Sequence, residues 1–379
     1  MKYYITSVWA EDIGARFVKS LEPGTSAVAH NGAMTAITDV PGLRVGQAGR
    51  AGGGWLSGVT VVLPPIGTVG SVDVRGGGPG THETDALDPT TLTRLVDAVV
   101  LTGGSAYGLA AAHGAQRWCE ENGRGFPVTG GVVPIVPAAA IFDLGRGGDF
   151  AARPDEAMGY AAAADAAARQ EGHDVERGNT GAGTGALIGR GKYKGGLGTA
   201  SITLENISQD GPVVVGAIAV VNALGLPIGT PSWRTEPGSV RLSDEGASTQ
   251  RVAAAGSEGE PGVADDAVGA DQPPLNTTLV VVATNAVLDK AECRRTASAA
   301  HAGLARALDP SHTLADGDTV FCLATGGVAL DRSSEAARQG SLIALQSAAA
   351  DVVRLAILDG IACAEPVSTP AGDFGAYGR

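Results

Sequence analysis

The chain has 379 residues, of which 44% are hydrophobic and 18% are charged, a composition typical of a globular protein rather than a disordered one. Its 27 Lys and Arg residues against 40 Asp and Glu give a net charge of −13, which argues against nucleic acid or an anionic membrane as the partner. No apolar run approaches the roughly 20 residues of a membrane helix, and the four cysteines are too far apart for a zinc ribbon or a disulfide framework, so we expect a cytoplasmic protein.

The patterning in chain order predicts a mixed α/β protein. Residues 1–36 show no regular pattern and are interpreted as an N-terminal extension. Ser105 is a plausible N-cap of the first predicted helix. Strands are predicted at 58–64, 97–101, 213–221, 277–284 and 319–324, and helices at 106–121, 154–170, 289–308 and 341–358.

One long acidic stretch interrupts this pattern. Residues 236–274 contain eight acidic residues and two arginines, and they are rich in Gly, Ser, Ala and Pro. Such a segment buries too little apolar surface to offset its ordering entropy. We therefore predict a disordered acidic linker over 236–276, and a second loose segment in the tail from about residue 364.

The end of this linker meets a strand that begins with a hydroxyl residue, in the sequence Asn276-Thr277-Thr278. A hydroxyl needs a base to become a nucleophile at neutral pH. Cleavage before Thr277 would supply one, because the new α-amine has a pKa of about 7.7–8.0. The layout fits an N-terminal-nucleophile hydrolase, although a turn at Asn276 is the alternative interpretation.

Six segments, taken together, resemble the DmpA/S58-type family of autoprocessing aminopeptidases, which includes the 6-aminohexanoate-oligomer (nylon-oligomer) endo-hydrolases. The segments occur in order through most of the chain. They are 37–46 (ITDVPGLRVG), 73–77 (DVRGG), 101–109 (LTGGSAYGL), 141–144 (IFDL), 181–185 (GAGTG) and 276–278 (NTT).

The resemblance implies a four-layer α/β/β/α sandwich and self-cleavage between Asn276 and Thr277. The α chain (37–276 after the extension) and the β chain (277–379) would remain in one hydrolase domain and assemble as a homo-oligomer, with a tetramer favoured. The implied substrates are small peptides, amino-acid amides or 6-aminohexanoate-type oligomers, with no metal or organic cofactor.

The resemblance also assigns roles to individual residues. Thr277 would be the nucleophile and its α-amine the general base. Asn222, at the end of an apolar strand, would donate to the oxyanion, although an Asn there is also a common turn residue. Asp316 and Asp318 would hold the ammonium or hydroxyl of Thr277, or simply form a tight turn.

The catalytic lysine of the family is harder to place. Arg190 occupies the aligned position, and Lys192 and Lys194 follow it. We choose Lys192, because an ammonium changes its protonation more readily than a guanidinium. Phe142, where some relatives have Tyr, and Tyr107 are assigned to substrate binding.

Two other motifs do not support a different chemistry. The glycine-rich stretch 75–82 lacks the G-K-[ST] ending of a phosphate loop, so we expect a substrate-lining loop or a tight turn. The histidines show no metal-ligand spacing and are not expected to be catalytic. The alternatives to a hydrolase are an acyltransferase of the ornithine acetyltransferase type and an inactive binding or assembly protein on the same fold.

Overall fold

Two five-stranded β-sheets lie face to face at the centre of the computed structural model, which describes residues 35–229 and 275–378. In spatial order, the first sheet contains β1 (Arg44–Gly52), β2 (Trp55–Leu63), β5 (Val99–Thr102), β8 (Ala138–Ala140) and β4 (Thr81–His82). The second contains β11 (Gly196–Leu204), β12 (Val213–Asn222), β14 (Thr277–Ala286), β16 (Thr319–Val328) and β3 (Val69–Val74).

Five α-helices and three small sheets complete the described part of the chain. The helices are α1 (Ser105–Gly108), α2 (Ala111–Glu121), α3 (Glu156–Ala168), α4 (Lys290–Ala307) and α5 (Glu335–Ala362), with short 3₁₀ turns at Ile37–Asp39, Asp85–Leu87 and Gly181–Gly183. Two of the small sheets are strand pairs, β6 (Phe126–Val128) with β7 (Gly131–Val133) and β13 (Leu226–Pro227) with β15 (Leu308–Asp309). The third has four strands in the spatial order β17 (Val367–Thr369), β18 (Gly372–Ala376), β10 (Tyr193–Lys194) and β9 (Leu187–Ile188).

Alternate residues of the central strands bury opposite faces. In β12, Ile218 and Val220 pack between the two sheets, whereas Ala217 and Ala219 face α4 and α5. The first sheet is covered on its outer face by α2 and α3 in the same way. Strands buried on both faces are nearly continuous apolar runs in the sequence. This is why these strands could be predicted from the sequence. The predicted four-layer α/β/β/α sandwich is confirmed.

The region after β5 differs from its prediction. The predicted helix 106–121 is two helices, and the residue before α1 is Gly104, which has no side-chain cap bond, so the proposed cap at Ser105 is wrong. Gly104 and Ser105 have φ values of 78° and 53°, a region that L residues rarely adopt. A sharp turn therefore leads out of β5, and it brings backbone N–H groups toward the loop after β8.

The C-terminal tail forms two strands where a loose segment was predicted. β18 pairs in parallel with β10, and the ring of Tyr377 meets that of Tyr193 edge-on at 5.5 Å. This pairing fixes the short strand that contains Lys194. The predicted extension 1–36 and linker 236–276 lie almost entirely outside the described residues.

Helix α5 is long and apolar enough to span a membrane by length and composition, the single such helix within the described ranges. It packs against α4, β11 and β12, and half of its most apolar stretch is buried. These contacts place it in the outer helical layer of the sandwich.

Candidate active site

Three strand ends of the second sheet meet at one edge. Asn222, the last residue of β12, lies directly opposite Thr277, the first residue of β14. The turn Asp316–Asp318 leads into β16, which runs parallel to β14. Opposed residues of an antiparallel pair project to the same face. The side chains of Asn222 and Thr277 therefore both lie at the rim of the layer between the sheets.

The peptide bond before Thr277 is held from both sides. The Thr277 hydroxyl Oγ1 donates to the carbonyl oxygen of Asn276 at 2.5 Å. The backbone N–H of Gly317 donates to the same oxygen at 2.9 Å, and the Asn276 N–H donates to the Ala315 carbonyl at 3.0 Å. A hydroxyl and a polarised carbonyl are thus in contact in the uncut chain.

Gly317 leaves room for this contact because it has no side chain. A Cβ at this position would lie 2.6 Å from Thr277 Oγ1. The glycine-rich loop predicted to line the substrate packs on the same turn through its backbone. Gly76 N–H donates to the Asp318 carbonyl at 3.2 Å, and Gly78 N–H donates to the Asp316 carbonyl at 2.9 Å.

The two predicted carboxylates accept hydrogen bonds from backbone N–H groups, Asp318 beside Thr277 and Asp316 within its own loop. Asp318 Oδ1 accepts from the N–H of Thr278 at 2.7 Å, and Asp316 Oδ2 accepts from the N–H of Thr313 at 2.7 Å. Both carboxylates are buried. Burial, with the neighbouring charge of Asp318 as a second cause, raises the pKa of Asp316. Asp318 thus holds the residue after Thr277, while Asp316, whose backbone lies opposite Asn276, holds its own loop.

The orientation of the Asn222 side-chain amide is fixed by its partners. Its Oδ1 accepts from Arg146 Nη1 at 2.5 Å and from the N–H of Leu187 at 3.0 Å, while its Nδ2 donates to the Phe142 carbonyl at 3.4 Å. The oxygen end of the amide is thus held by two donors, and one N–H of the NH₂ group is directed to the Phe142 carbonyl. Arg146 was missed by sequence reasoning, although it lies only two residues beyond one of the resembling segments, 141–144.

Lys194 is the lysine that the structure buries at this site. It is 0% exposed, and its ammonium donates to the carbonyl oxygens of Gly183, Ala186 and Gly195 at 3.2, 2.7 and 3.0 Å. Burial, followed by the charge of Arg146, lowers its pKa to about 7. A lysine that changes protonation near neutral pH is a frequent feature of catalytic sites.

Lys192, the lysine chosen from the sequence, is not buried in this way. Lys192 is exposed and lies 5.3 Å from the centre of the Tyr193 ring, and Arg190 is exposed in the same turn between β9 and β10. Lys192 lies in the turn between β9 and β10, whereas Lys194 lies in β10 itself and is buried.

Asp143, which is buried, forms a charged cluster with the half-buried Arg146 and the buried Lys194. Its Oδ1 accepts from the N–H of Gly104 at 2.6 Å, in the sharp turn after β5. Burial raises the pKa of Asp143, which the two cations partly oppose, and burial lowers the pKa of Arg146 to about 10. A cluster of groups with shifted pKa values beside a buried hydroxyl is characteristic of an active site.

Of the two residues assigned to substrate binding, Phe142 contacts Asn222 and Tyr107 contacts Arg153. Phe142 is half-buried and contributes its carbonyl to Asn222. Tyr107 is 55% exposed, and the Arg153 guanidinium lies 3.9 Å from the centre of its ring. Within residues 35–229 and 275–378, no group of three His, Cys, Asp or Glu side chains could hold a metal ion.

Comparison with known proteins identifies relatives along the whole described chain. The sequence profile of peptidase family S58 matches residues 35–374. An uncharacterised aminopeptidase of Mycobacterium tuberculosis is 47% identical over 350 residues, covering 88% of this chain and 96% of that protein. A 6-aminohexanoate-oligomer endohydrolase of a Kocuria species is 28% identical over 355 residues, covering 89% and 90%.

Among solved structures, the L-aminopeptidase D-Ala-esterase/amidase of Ochrobactrum anthropi superposes with a TM-score of 0.65 at 22% identity. The superposition covers 91% of this chain and 92% of that one, whose structure is described as a variant of the Ntn hydrolase fold. The likeness shows that the two chains share a fold.

Proposed function

Since this chain belongs to peptidase family S58 and is a hydrolase acting on peptide or amide bonds, we propose that its precursor cuts itself between Asn276 and Thr277 and then uses Thr277 as the nucleophile. The observation that carries the proposal is the contact of Thr277 Oγ1 with the Asn276 carbonyl oxygen, to which Gly317 also donates. The contact places the hydroxyl next to the peptide bond that it would attack.

Self-cleavage proceeds by an acyl shift from nitrogen to oxygen. Thr277 Oγ1 bonds to the Asn276 carbonyl carbon, and the negative charge on the oxygen is stabilised by the Gly317 N–H. The C–N bond then breaks, the hydroxyl proton passes to the departing nitrogen, and Asn276 is held as an ester. This step frees the Thr277 α-amine, and water then hydrolyses the ester, which releases the Asn276 carboxylate and restores the Thr277 hydroxyl.

The mature site would repeat this chemistry on a substrate. The α-amine of Thr277 takes the hydroxyl proton, and Oγ1 attacks the substrate carbonyl to form an acyl-enzyme while the leaving amine accepts that proton. The Asn222 NH₂ group donates to the oxyanion, with Arg146 and Leu187 holding its orientation. Water then releases the acyl group and restores the hydroxyl.

The proposed substrates are small peptides, amino-acid amides or 6-aminohexanoate-type oligomers. The aminopeptidase and endohydrolase names of the relatives support this range, and the buried nucleophile is consistent with a small substrate. A homo-oligomer, with a tetramer favoured, and a cytoplasmic location belong to the same proposal.

The first test is the chain composition of the purified protein. A denaturing gel with intact mass and N-terminal sequencing should show two chains of 276 and 103 residues, the smaller beginning Thr-Thr-Leu-Val. A single 37.7 kDa chain that stays uncut on prolonged incubation would contradict the proposal.

Gly317→Ala should slow self-cleavage by about a hundredfold, because the added Cβ would displace the Thr277 hydroxyl from the Asn276 carbonyl. The measurement is the half-time of conversion of precursor to the two chains, followed by mass spectrometry. Gly340→Ala is the matched control, since a Cβ at Gly340 meets nothing within 4 Å. Equal half-times for the two variants would show that space at Gly317 is not needed.

A further inference from the structure

The carboxylate of Asp318 is shared between the start of β14 and one histidine. Its Oδ1 accepts from the N–H of Thr278, the residue directly after the nucleophile. Its Oδ2 accepts from the backbone N–H of His312 at 3.0 Å and lies 2.8 Å from His312 Nδ1. A single side chain thus links the residue after Thr277 to a histidine six positions earlier in its own loop.

His312 is itself held in an unusual position. Its φ is 56°, a left-handed conformation that His adopts at a cost and that persists where the surroundings impose it. The ring of His301 meets its ring edge-on at 4.8 Å. His301 is 1% exposed and contacts the Asp73 carbonyl oxygen through Nε2 at 2.9 Å. Since burial lowers the pKa of His301 to about 4, this ring is uncharged at neutral pH and braces His312 as a rigid aromatic neighbour.

We propose that His312 is a positioning residue, which orients the Asp318 carboxylate by donating from Nδ1 and thereby fixes the N-terminal end of β14 for both reactions of Thr277. The proposal rests on the proposed function for its catalytic part. His312 is not among the catalytic residues expected from the sequence. In this proposal it holds the Asp318 carboxylate and transfers no proton to the substrate.

The geometry explains why a small movement at His312 would matter. Asp318 and Gly317 are adjacent in one turn, and Gly317 N–H contacts the Asn276 carbonyl oxygen on the other side of Thr277. Rotation of the Asp318 side chain would release Thr278 and shift that turn. Misplacement of reacting groups by about 1 Å can cost a hundredfold in rate.

A matched pair of variants separates the hydrogen bond from the bulk of the ring. His312→Asn places an amide NH₂ where Nδ1 lies, and His312→Gly removes the side chain. Both residues accept the left-handed backbone, so neither adds strain. Each is made in the full chain with Thr277 intact, where self-cleavage and hydrolysis of an amino-acid p-nitroanilide are measured. Each is also made in the Thr277→Ala chain, where exchange of the Thr278 amide hydrogen is measured by mass spectrometry.

We expect His312→Gly to slow self-cleavage at least tenfold and to speed exchange at Thr278 at least tenfold, and His312→Asn to restore both to within about threefold of the parent. Unchanged exchange in the Gly variant would overturn the proposal whether or not the chain cuts itself. An Asn variant as slow as the Gly variant, or normal cleavage in the Gly variant, would overturn it as well. Faster exchange in a protein whose unaltered chain never cuts itself would uphold the link from His312 to Asp318 and overturn the proposed function instead.

Discussion

Thr277→Ala is expected to remain a single chain and to lose amide hydrolysis by about 10⁴–10⁶-fold, the scale seen when a nucleophile is removed. The variant lacks the hydroxyl that contacts the Asn276 carbonyl oxygen. It therefore cannot form the ester that leads to cleavage, and without cleavage no α-amine is produced to act as base. Intact mass reports the first loss, and steady-state hydrolysis of a panel of amino-acid p-nitroanilides reports the second.

Two control variants make this result specific. Thr277→Ser keeps the hydroxyl and should cleave itself within about tenfold of the parent rate. Thr278→Ala alters the next threonine, whose side chain points to the opposite face of β14, toward α4 and α5, and it should be processed normally. Two chains and hydrolysis in the Thr277→Ala protein would rule out the proposed nucleophile.

The strands that present this site were predictable because they are buried on both faces. β12 and β14 are continuous apolar runs that end or begin with a polar residue, and both polar residues were selected from the sequence. Their mutual register was not predictable, since Asn222 and Thr277 are opposed only because the two strands pair with these ends aligned. The family resemblance supplied the expectation that they act together, and the register gives it a physical basis.

The supporting residues could not be derived in the same way, because each acts through a contact between distant parts of the chain. Arg146 reaches Asn222 across 76 positions, and nothing in its local sequence marks it as a partner of that residue. Lys194, unlike the exposed Lys192, lies in the two-residue strand β10, which pairs with β9 on one side and with the tail strand β18 on the other. A tail predicted to be loose gave no reason to expect that pairing.

Lys194→Met should lower kcat by about a hundredfold at pH 6, a loss comparable to that of one oxyanion donor. The three carbonyl oxygens around Nζ match the three N–H donors of an ammonium, whereas a neutral amine has only two. We therefore assign the contribution of Lys194 to its charged form. The exposed Lys192→Met is the matched control and should leave kcat within about twofold of the parent.

The pH dependence gives this prediction a definite sign. Burial lowers the pKa of Lys194 from its ordinary 10.5 to about 7, so the side chain is charged below that pH and loses its proton as the pH rises through it. The ratio of kcat of the parent enzyme to that of Lys194→Met should consequently fall between pH 6 and pH 9. Taking the ratio removes the titration of the Thr277 amine, which both proteins share. A ratio that rises with pH would mean that the neutral amine acts as a base, and a hundredfold loss in Lys192→Met instead would return the catalytic role to the exposed lysine.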